Sequence, residues 1–196
     1  MVSRETLLTH FADELFAANK ETNLVSRRLG RDDIRAMVHS FARTLDVVGA
    51  ASPDGVLDIG TGAGLPGIPL AITYPSTRVV LAERRRLRVA WLGHIVAELG
   101  LDNTSVLEGR VEDFPELEDA FPAVTAFGVG PSADAIALCC RFLAPGGVAA
   151  VSAPAMPEPA DESRWLLAAA VNGAVITHLP DALAGGRALL KVQRDG

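Results

Sequence analysis

The residues best suited to chemistry lie at positions 58–64, where the chain reads Asp-Ile-Gly-Thr-Gly-Ala-Gly. An apolar stretch at 56–59 predicts a buried strand before this segment, and residues 65–73 predict a helix after it. Glycine adopts positive φ angles and leaves the main chain bare, so a ligand can contact the backbone directly. The carboxylate of Asp58 suits a cationic or amine-bearing ligand better than a phosphate. The segment therefore predicts a loop that cradles a cofactor.

The same glycines also admit a dinucleotide interpretation, because residues 62–67 match the pattern G-x-G-x-x-G. That fingerprint should follow its strand closely, whereas here it starts four residues after Asp58. An acidic side chain would repel a pyrophosphate, and the rest of the chain offers no substrate domain for a dehydrogenase. We therefore favour a different nucleoside cofactor, and a nicotinamide cofactor and a purely structural glycine turn are the alternatives.

Two further segments follow predicted strands in the same way. Glu83 comes just after the strand predicted at 78–82, and an acidic side chain there can accept hydrogen bonds from both hydroxyls of a ribose. Residues 109–113, Gly-Arg-Val-Glu-Asp, follow the strand predicted at 104–108 and could hold an adenine, with an ordinary turn as the alternative. Because parallel strands end at one edge of a sheet, we expect these loops to converge on one crevice.

The elements that position these loops alternate between strands and helices. Further strands are predicted at 123–127, 148–152, 174–179 and 187–193, and further helices at 87–99, 133–142 and 162–171. This order predicts an α/β fold with a mostly parallel, seven-stranded sheet whose closing pair forms an antiparallel edge.

Two amphipathic segments, 3–20 and 32–48, come before any strand and predict helices, the first with Ser3 as its N-cap. We therefore predict an N-terminal helical cap over residues 1–50 and a cofactor-binding domain over 51–196, which together form one structural unit.

Composition excludes several kinds of protein. The chain has 196 residues, 49% hydrophobic and 21% charged, which is typical of one globular domain. The net charge of −6 argues against indiscriminate coating of nucleic acid. It leaves room for local contacts through two arginine clusters, which are otherwise solvated surface charges. They are Arg27, Arg28 and Arg31, and Arg84, Arg85, Arg86 and Arg88.

The cysteines and the termini predict a cytoplasmic protein. Cys139 and Cys140 are neighbours in an apolar run, which predicts buried thiols in a reducing compartment. We see no membrane-length apolar stretch and no signal segment. The histidines show no metal-ligand or catalytic-triad spacing, so we predict neither a metal nor a nucleophilic mechanism.

Residues 58–69, Asp-Ile-Gly-Thr-Gly-Ala-Gly-Leu-Pro-Gly-Ile-Pro, strongly resemble the bacterial 16S ribosomal RNA guanine-N7 methyltransferases, the glucose-inhibited division protein B family. The resemblance covers nearly the whole chain. It continues through Asn23-Leu24-Val25-Ser26, His39, Arg88, Trp91-Leu92, residues 110–114 and Arg187.

The resemblance implies a Rossmann-like class I methyltransferase that uses S-adenosylmethionine and methylates a guanine in a folded loop of 16S ribosomal RNA. The small ribosomal subunit is then the partner. Methyl transfer from a sulfonium depends mostly on positioning, and a neutral ring nitrogen needs no base. The implied cofactor-binding residues are Asp58, Gly60, Thr61, Gly62, Gly64, Leu65, Glu83, Arg84, Arg110, Val111 and Glu112.

The acceptor side departs from the family pattern, and most of the lost groups are cations that would face substrate or phosphate. Ala126-Phe127-Gly128 stands where the family has Ser-Arg-Ala, and Ser152-Ala153 where it has Lys-Gly. Leu87, Ala42 and Ala188 also replace polar residues. The candidate acceptor-site residues are Phe127, which could stack on a planar acceptor, His39 and Arg187.

Three functions are therefore open. We favour a divergent RNA methyltransferase whose arginine clusters contact phosphates, because members of the family outnumber known recruitments to other substrates. The alternatives are a paralogue that methylates a small, apolar or aromatic acceptor, and a cofactor-binding module without turnover.

Overall fold

The structure, a computed structural model, describes residues 2–50, 53–183 and 187–196. Its helices are α1 (Arg4–Thr22), α2 (Arg31–Phe41), α3 (Thr44–Val48), α4 (Gly67–Thr73), α5 (Arg86–Leu99), α6 (Ser132–Phe142) and α7 (Pro159–Ala170). Its strands are β1 (Gly55–Ile59), β2 (Arg78–Glu83), β3 (Thr104–Glu108), β4 (Phe121–Ala126), β5 (Leu143–Pro154), β6 (Ala174–Leu183) and β7 (Arg187–Arg194). Short 3₁₀ turns lie at Val111–Asp113 and Pro115–Leu117.

The strands form one seven-stranded sheet in the order β3-β2-β1-β4-β5-β7-β6. The pairs from β3 to β5 are parallel, and β7 runs antiparallel to both β5 and β6. The predicted fold class, with its antiparallel edge, is confirmed. The strand predicted at 123–127 is shifted, because β4 pairs with β5 from Phe121 and ends at Ala126.

The central strand shows why the sheet is covered on both faces. All five residues of β1 are buried, and their side chains alternate between two cores. Val56 packs into the core that α1 to α5 build, whereas Leu57 and Ile59 pack into the core that α6 and α7 build. The helices therefore lie in two layers, and the ends of the parallel strands stay open at the sheet edge.

The N-terminal helices pack into the first of these cores. Phe11 of α1 and Ile34 of α2 are fully buried in the same cluster as Ile68 of α4. The predicted N-cap is confirmed, because the Ser3 hydroxyl accepts a hydrogen bond from the N–H of Thr6 at 3.1 Å. The division of the chain at residue 50 stays a prediction.

The prediction of a single helix at 32–48 is wrong. α2 ends at Phe41, where the N–H of Arg43 bonds to the carbonyl of Ser40 in a tighter turn, and α3 begins at Thr44. The two halves pack on different surfaces, α2 on α1 and α4, and α3 on β5. A change of direction lets both apolar faces be buried.

The two cysteines lie in the second core as free thiols. Burial raises the pKa of the Cys139 thiol well above its ordinary value. Within the described ranges, no helix is long and apolar enough to span a membrane. The same residues contain no group of three or more His, Cys, Asp or Glu side chains that could hold a metal ion.

Candidate functional site

A cavity of about 430 Å³ lies at the carboxyl ends of β1, β2, β3 and β4. Its wall comes from the loops that follow these strands and from the first turns of α5 and α6. The lining residues are Ile59, Gly60, Ala82, Glu83, Arg84, Arg85, Arg88, Gly109, Arg110, Val111, Glu112, Gly128, Val129, Asp134, Ala135 and Leu138. The three loops that the sequence predicts to converge do meet here.

The glycine loop meets the cavity at one end and the core at the other. Gly60 has a φ of +63° and lines the cavity, and a Cβ there would lie 3.1 Å from Cγ2 of Val129. Gly64 has a φ of +93°, and a Cβ there would lie 2.6 Å from Cγ1 of Ile68 in the core. Glycine suits both places because both φ angles are positive, and a Cβ at Gly64 would also collide with the helix that packs behind it.

Asp58 is fully buried beneath the loop, with each carboxylate oxygen in a hydrogen bond. Oδ2 accepts from the N–H of Gly67 at 2.9 Å, and Oδ1 accepts from the hydroxyl of Thr125 at 2.7 Å. Burial raises the pKa of Asp58 to about 6, although the hydrogen bonds from Thr125 and Gly67 oppose that rise. The carboxylate thus connects β1 to β4 and to α4, and it does not line the cavity.

Thr61 lies beside this carboxylate inside the loop. Its side chain is buried and helps to lower the pKa of Asp58, but its hydroxyl completes no hydrogen bond of normal geometry with a described residue. Leu65, at the end of the predicted loop, packs into the first core. Both residues lie behind the cavity wall.

Glu83 connects the glycine loop to the start of α5. Its Oε2 accepts from the N–H of Gly62 at 3.1 Å, and its Oε1 accepts from the N–H of Arg85 at 2.9 Å. Nη1 of Arg88 lies 3.7 Å from Oε2. The carboxylate is only 5% exposed, yet it forms part of the cavity wall. Its position is therefore fixed before any ligand arrives.

α5 forms a second connection to the glycine loop, and the residues just before α5 form a positively charged rim of the cavity. The indole Nε1 of Trp91 donates to the carbonyl of Ala63 at 3.0 Å and so holds the loop from the other side. Arg84 and Arg85 line the cavity, and neither guanidinium forms an ion pair with a described residue. Arg86, in contrast, pairs with Glu108 at 3.4 Å.

The loop after β3 forms the far wall. The N–H of Gly109 donates to the carbonyl of Glu83 at 3.0 Å, and Val111 is buried beside it. Nη2 of Arg110 lies 3.2 Å from Oε1 of Glu112. The backbone N–H of Glu112 and the guanidinium of Arg110 lower the pKa of the Glu112 carboxyl. This wall combines an apolar surface with a paired carboxylate.

The loop after β4 is held by a residue that lies on β5. The hydroxyl of Ser152 accepts from the N–H of Gly128 at 3.0 Å, and its carbonyl accepts from the hydroxyl of Ser132 at 3.2 Å. Val129, in this loop, and Asp134, in the first turn of α6, reach the cavity wall. Sequence reasoning missed Asp134, although an acidic residue early in the helix after a central strand was a usable signal.

Two predicted acceptor-site residues, Phe127 and His39, contact other parts of the protein. Phe127 packs edge-on against Phe41, with ring centroids 5.2 Å apart, and does not line the cavity. Nε2 of His39 lies 3.5 Å from Oε1 of Glu5, in the layer of α1 and α2. Arg187 begins β7, but its side chain lies outside what the structure describes. Their roles stay predictions.

The predicted cofactor-binding residues fall into two groups. Gly60, Glu83, Arg84, Arg110, Val111 and Glu112 line the cavity. Asp58, Thr61, Gly62, Gly64 and Leu65 are not among the lining residues and instead support the loop from behind. In the other predicted arginine cluster, Arg31 pairs with Asp13 at 2.8 Å on α1, away from this cavity.

Residues 4–157 match a protein-family model described as rRNA small subunit methyltransferase G. A protein of that name from Chlorobium limicola is 36% identical over 160 residues, which cover 75% of this chain and 70% of that protein. Its counterpart from Chlorobaculum tepidum is 38% identical over 146 residues, which cover 73% of this chain and 65% of that protein. The chain thus spans about two thirds of the length of these relatives.

Solved methyltransferase structures share the fold. An O-methyltransferase from Bacillus cereus, crystallised with S-adenosylhomocysteine (SAH), superimposes with a TM-score of 0.69 at 16% identity and covers 95% of this chain and 91% of its own. TomG from Streptomyces achromogenes, crystallised with S-adenosylmethionine, gives a TM-score of 0.67 at 18% identity and covers 95% and 90%. At such low identity these likenesses concern the fold alone.

Proposed function

The chain belongs to the rRNA small subunit methyltransferase G family, and we propose that it transfers the methyl group of S-adenosylmethionine to a guanine N7 atom in small-subunit ribosomal RNA. The family match confirms the predicted class of enzyme, a methyltransferase. The observation that carries the proposal is the cavity whose wall contains both the Glu83 carboxylate and the bare backbone of Gly60.

The wall fits this cofactor in size and in chemistry. A volume of about 430 Å³ falls in the range of roughly 300–1,000 Å³ that is usual for small-ligand sites. Each oxygen of Glu83 accepts one backbone N–H and keeps a further lone pair, so two ribose hydroxyls can donate to this carboxylate. Ala82 and Val111 offer an apolar surface to the adenine.

The residues behind the wall keep this arrangement in place. Asp58 fixes the start of α4 through Gly67, and Glu83 fixes the loop through Gly62. Gly64 lets α4 pack closely under the loop, and Leu65 anchors the loop in the core. We assign Asp58, Thr61, Gly62, Gly64 and Leu65 to this supporting role rather than to direct contact.

The bound cofactor would supply a methyl group already activated by the positive charge of its sulfonium. The protein then has to exclude water and hold the acceptor nitrogen about 3–3.5 Å from the methyl carbon. A neutral ring nitrogen needs no base, and no histidine occurs among the described residues of the cavity wall. Arg84 and Arg85, which form no ion pairs with described residues, are free to contact RNA phosphates at the rim.

The test is methyl transfer from tritiated S-adenosylmethionine to small ribosomal subunits and to protein-free 16S RNA, with the modified base identified by mass spectrometry. We expect one N7-methylguanine per RNA, and slower incorporation by a Glu83→Gln variant at a cofactor concentration below the wild-type KM. If the protein binds the cofactor but transfers no methyl group to RNA, RNA is not the acceptor. Transfer to small aromatic acceptors instead would establish the alternative acceptor class.

A second experiment tests whether the arginines at the cavity rim contact RNA. Replacement of Arg84 and Arg85 by alanine should lower kcat/KM for RNA and reduce its dependence on salt, because fewer phosphates are neutralised. The affinity for SAH should change less than kcat/KM for RNA does, because the Glu83 carboxylate and the Gly60 backbone remain in the cavity wall. Arg164→Ala, on the exposed side of α7, is the control and should change neither quantity.

A further inference from the structure

The cavity has two halves of different charge. Arg84, Arg85 and Arg110 lie on the side of β2 and β3, where Glu112 pairs with Arg110 and Glu83 accepts backbone N–H groups. On the side of β1 and β4 the wall is made of Gly60, Gly128, Val129 and the first turn of α6. The acidic residue of that second half is Asp134.

The Asp134 carboxylate has no partner among the residues that the structure describes. It forms neither an ion pair nor a side-chain hydrogen bond with any residue in the described part of the chain, although it belongs to the cavity wall. The other two carboxylates of the wall, Glu83 and Glu112, are both engaged by the protein itself. An unpaired carboxylate at the wall of a cavity is suited to a cationic group of the ligand.

Asp58 is unable to receive such a group. Its side chain has no exposed surface, and its two oxygens face the N–H of Gly67 and the hydroxyl of Thr125 and do not line the cavity. A ligand cation would have to displace β4 or α4 to reach it. The acidic residue at the end of β1 is therefore a positioning residue, and a direct carboxylate contact has to come from elsewhere.

We propose that Asp134 binds the ammonium group of the methionine part of the cofactor. This inference rests on the proposed function, because the ribose at Glu83 sets the direction of the ligand. With the adenine on the side of Val111, the amino acid end extends past Gly60 towards β4, where Asp134 lies. An ammonium and a carboxylate then meet at the end of the cavity that lacks any other acidic wall residue among those described.

The backbone that carries Asp134 is fixed in place. Ser152 holds Gly128 and Ser132 on either side of Pro131, and the N–H of Ala135 bonds to the carbonyl of Pro131 to begin α6. Pro131 restricts its own φ, here −58°, and so sets the direction in which the helix leaves the loop. The first turn of α6 therefore presents Asp134 at a defined position.

The test compares two ligands by calorimetry. SAH carries the amino acid end, whereas 5′-methylthioadenosine has the same nucleoside without it. Asp134→Asn should weaken the binding of SAH on the order of tenfold, the usual effect of losing a charge-assisted hydrogen bond. It should change methylthioadenosine affinity by less than about twofold, and Asp134→Glu should restore part of the loss.

Asp161→Asn is the matched control, because Asp161 occupies the same third position in α7 as Asp134 does in α6. It removes an equivalent charge from a helix start and should leave both affinities unchanged. An Asp134→Asn protein that binds SAH normally, or loses both ligands equally, overturns the inference. Normal binding of both ligands with lost methyl transfer also overturns it, because the carboxylate would then face the acceptor. A wild-type protein that binds neither ligand contradicts the proposed function instead.

Discussion

The two sides of the cavity are built by different means. On the side of β1 to β3, buried side chains hold the loop backbone directly, through Asp58, Glu83 and Trp91. On the side of β4 and β5, Ser152 holds the loop, and within the described part of the chain the side chains that face the cavity form no hydrogen bonds to the loop. On the first side, a substitution therefore also alters the hydrogen bonds that hold the loop backbone. The second can exchange Val129 or Asp134 without losing a hydrogen bond or ion pair to another described residue.

The largest effect should come from filling the space beside Asp58. A Cβ at Gly67 would lie 2.2 Å from Cδ2 of Leu81 and 2.8 Å from Oδ2 of Asp58. We expect Gly67→Ala to lower the free energy of unfolding by about 4 kcal/mol, through overpacking and the disturbed hydrogen bond. Urea unfolding measures it.

Gly93→Ala is the control for that substitution, because a Cβ at this position in α5 meets nothing within 4 Å. It should leave stability unchanged or raise it by up to about 1 kcal/mol, since alanine favours a helix. Equal stability of the two variants would mean that the first side tolerates change after all.

Asp58 makes a pH-dependent contribution to the free energy of unfolding, and the substitution Asp58→Asn should remove it. The pKa of this carboxyl rises from an ordinary 3.8 to about 6 on folding, mainly through burial. Between these pH values the folded protein keeps a proton that the unfolded chain has lost, so stability falls as pH rises. The stability present below pH 4 and lost above pH 6 is about 3 kcal/mol.

Asn can replace both hydrogen bonds of Asp58, because its oxygen accepts from Gly67 and its amide donates to the Thr125 hydroxyl. As pH rises from 4 to 7, the wild type should lose the stability that the protonated Asp58 provides. The Asp58→Asn variant has no such group to lose, so it should become more stable relative to the wild type. The affinity for SAH should hardly change. Parallel stability curves over this range would contradict the assigned origin of the raised pKa.

Glu83→Gln tests the wall itself. A glutamine amide nitrogen would face the N–H of either Gly62 or Arg85, and the charge that attracts two hydroxyls would be lost. We expect SAH affinity to fall by about 2 kcal/mol, on the order of thirtyfold. Calorimetry measures it, and Glu116→Gln, at an exposed position, should have no effect. If the Glu83 variant binds SAH with normal affinity, the ribose does not lie beside Glu83 at the end of β2.

The smallest effect should come from the second side. Ser152→Ala removes the acceptor for the Gly128 N–H, and we expect a loss of about 1 kcal/mol in stability. Amide exchange at Gly128 should accelerate, whereas Ser105→Ala, at an exposed site on β3, should leave it unchanged. An equal loss from Ser152→Ala and Gly67→Ala would remove the contrast between the two sides.

The sequence predicted best what depends on neighbours along the chain. The alternation of strands and helices, the glycine loop and the position of Glu83 follow from apolar runs and from the residues that end them. The break at Ala42 could not be predicted, because it depends on what the two helix halves pack against. The partner of Asp58 on β4, Thr125, lies 67 residues away. The edge contact of Phe127 with Phe41 likewise joins distant segments.

The double hydrogen bond of Glu83 also bears on the thermodynamics of binding. Gly62 and Arg85 are already ordered by that carboxylate, so a ligand entering the cavity need not freeze a mobile loop. The entropy loss on association should then come mainly from the ligand and from displaced water. We expect binding on this side to resemble the docking of two rigid bodies, with differences between ligands appearing in dissociation rates rather than in association rates.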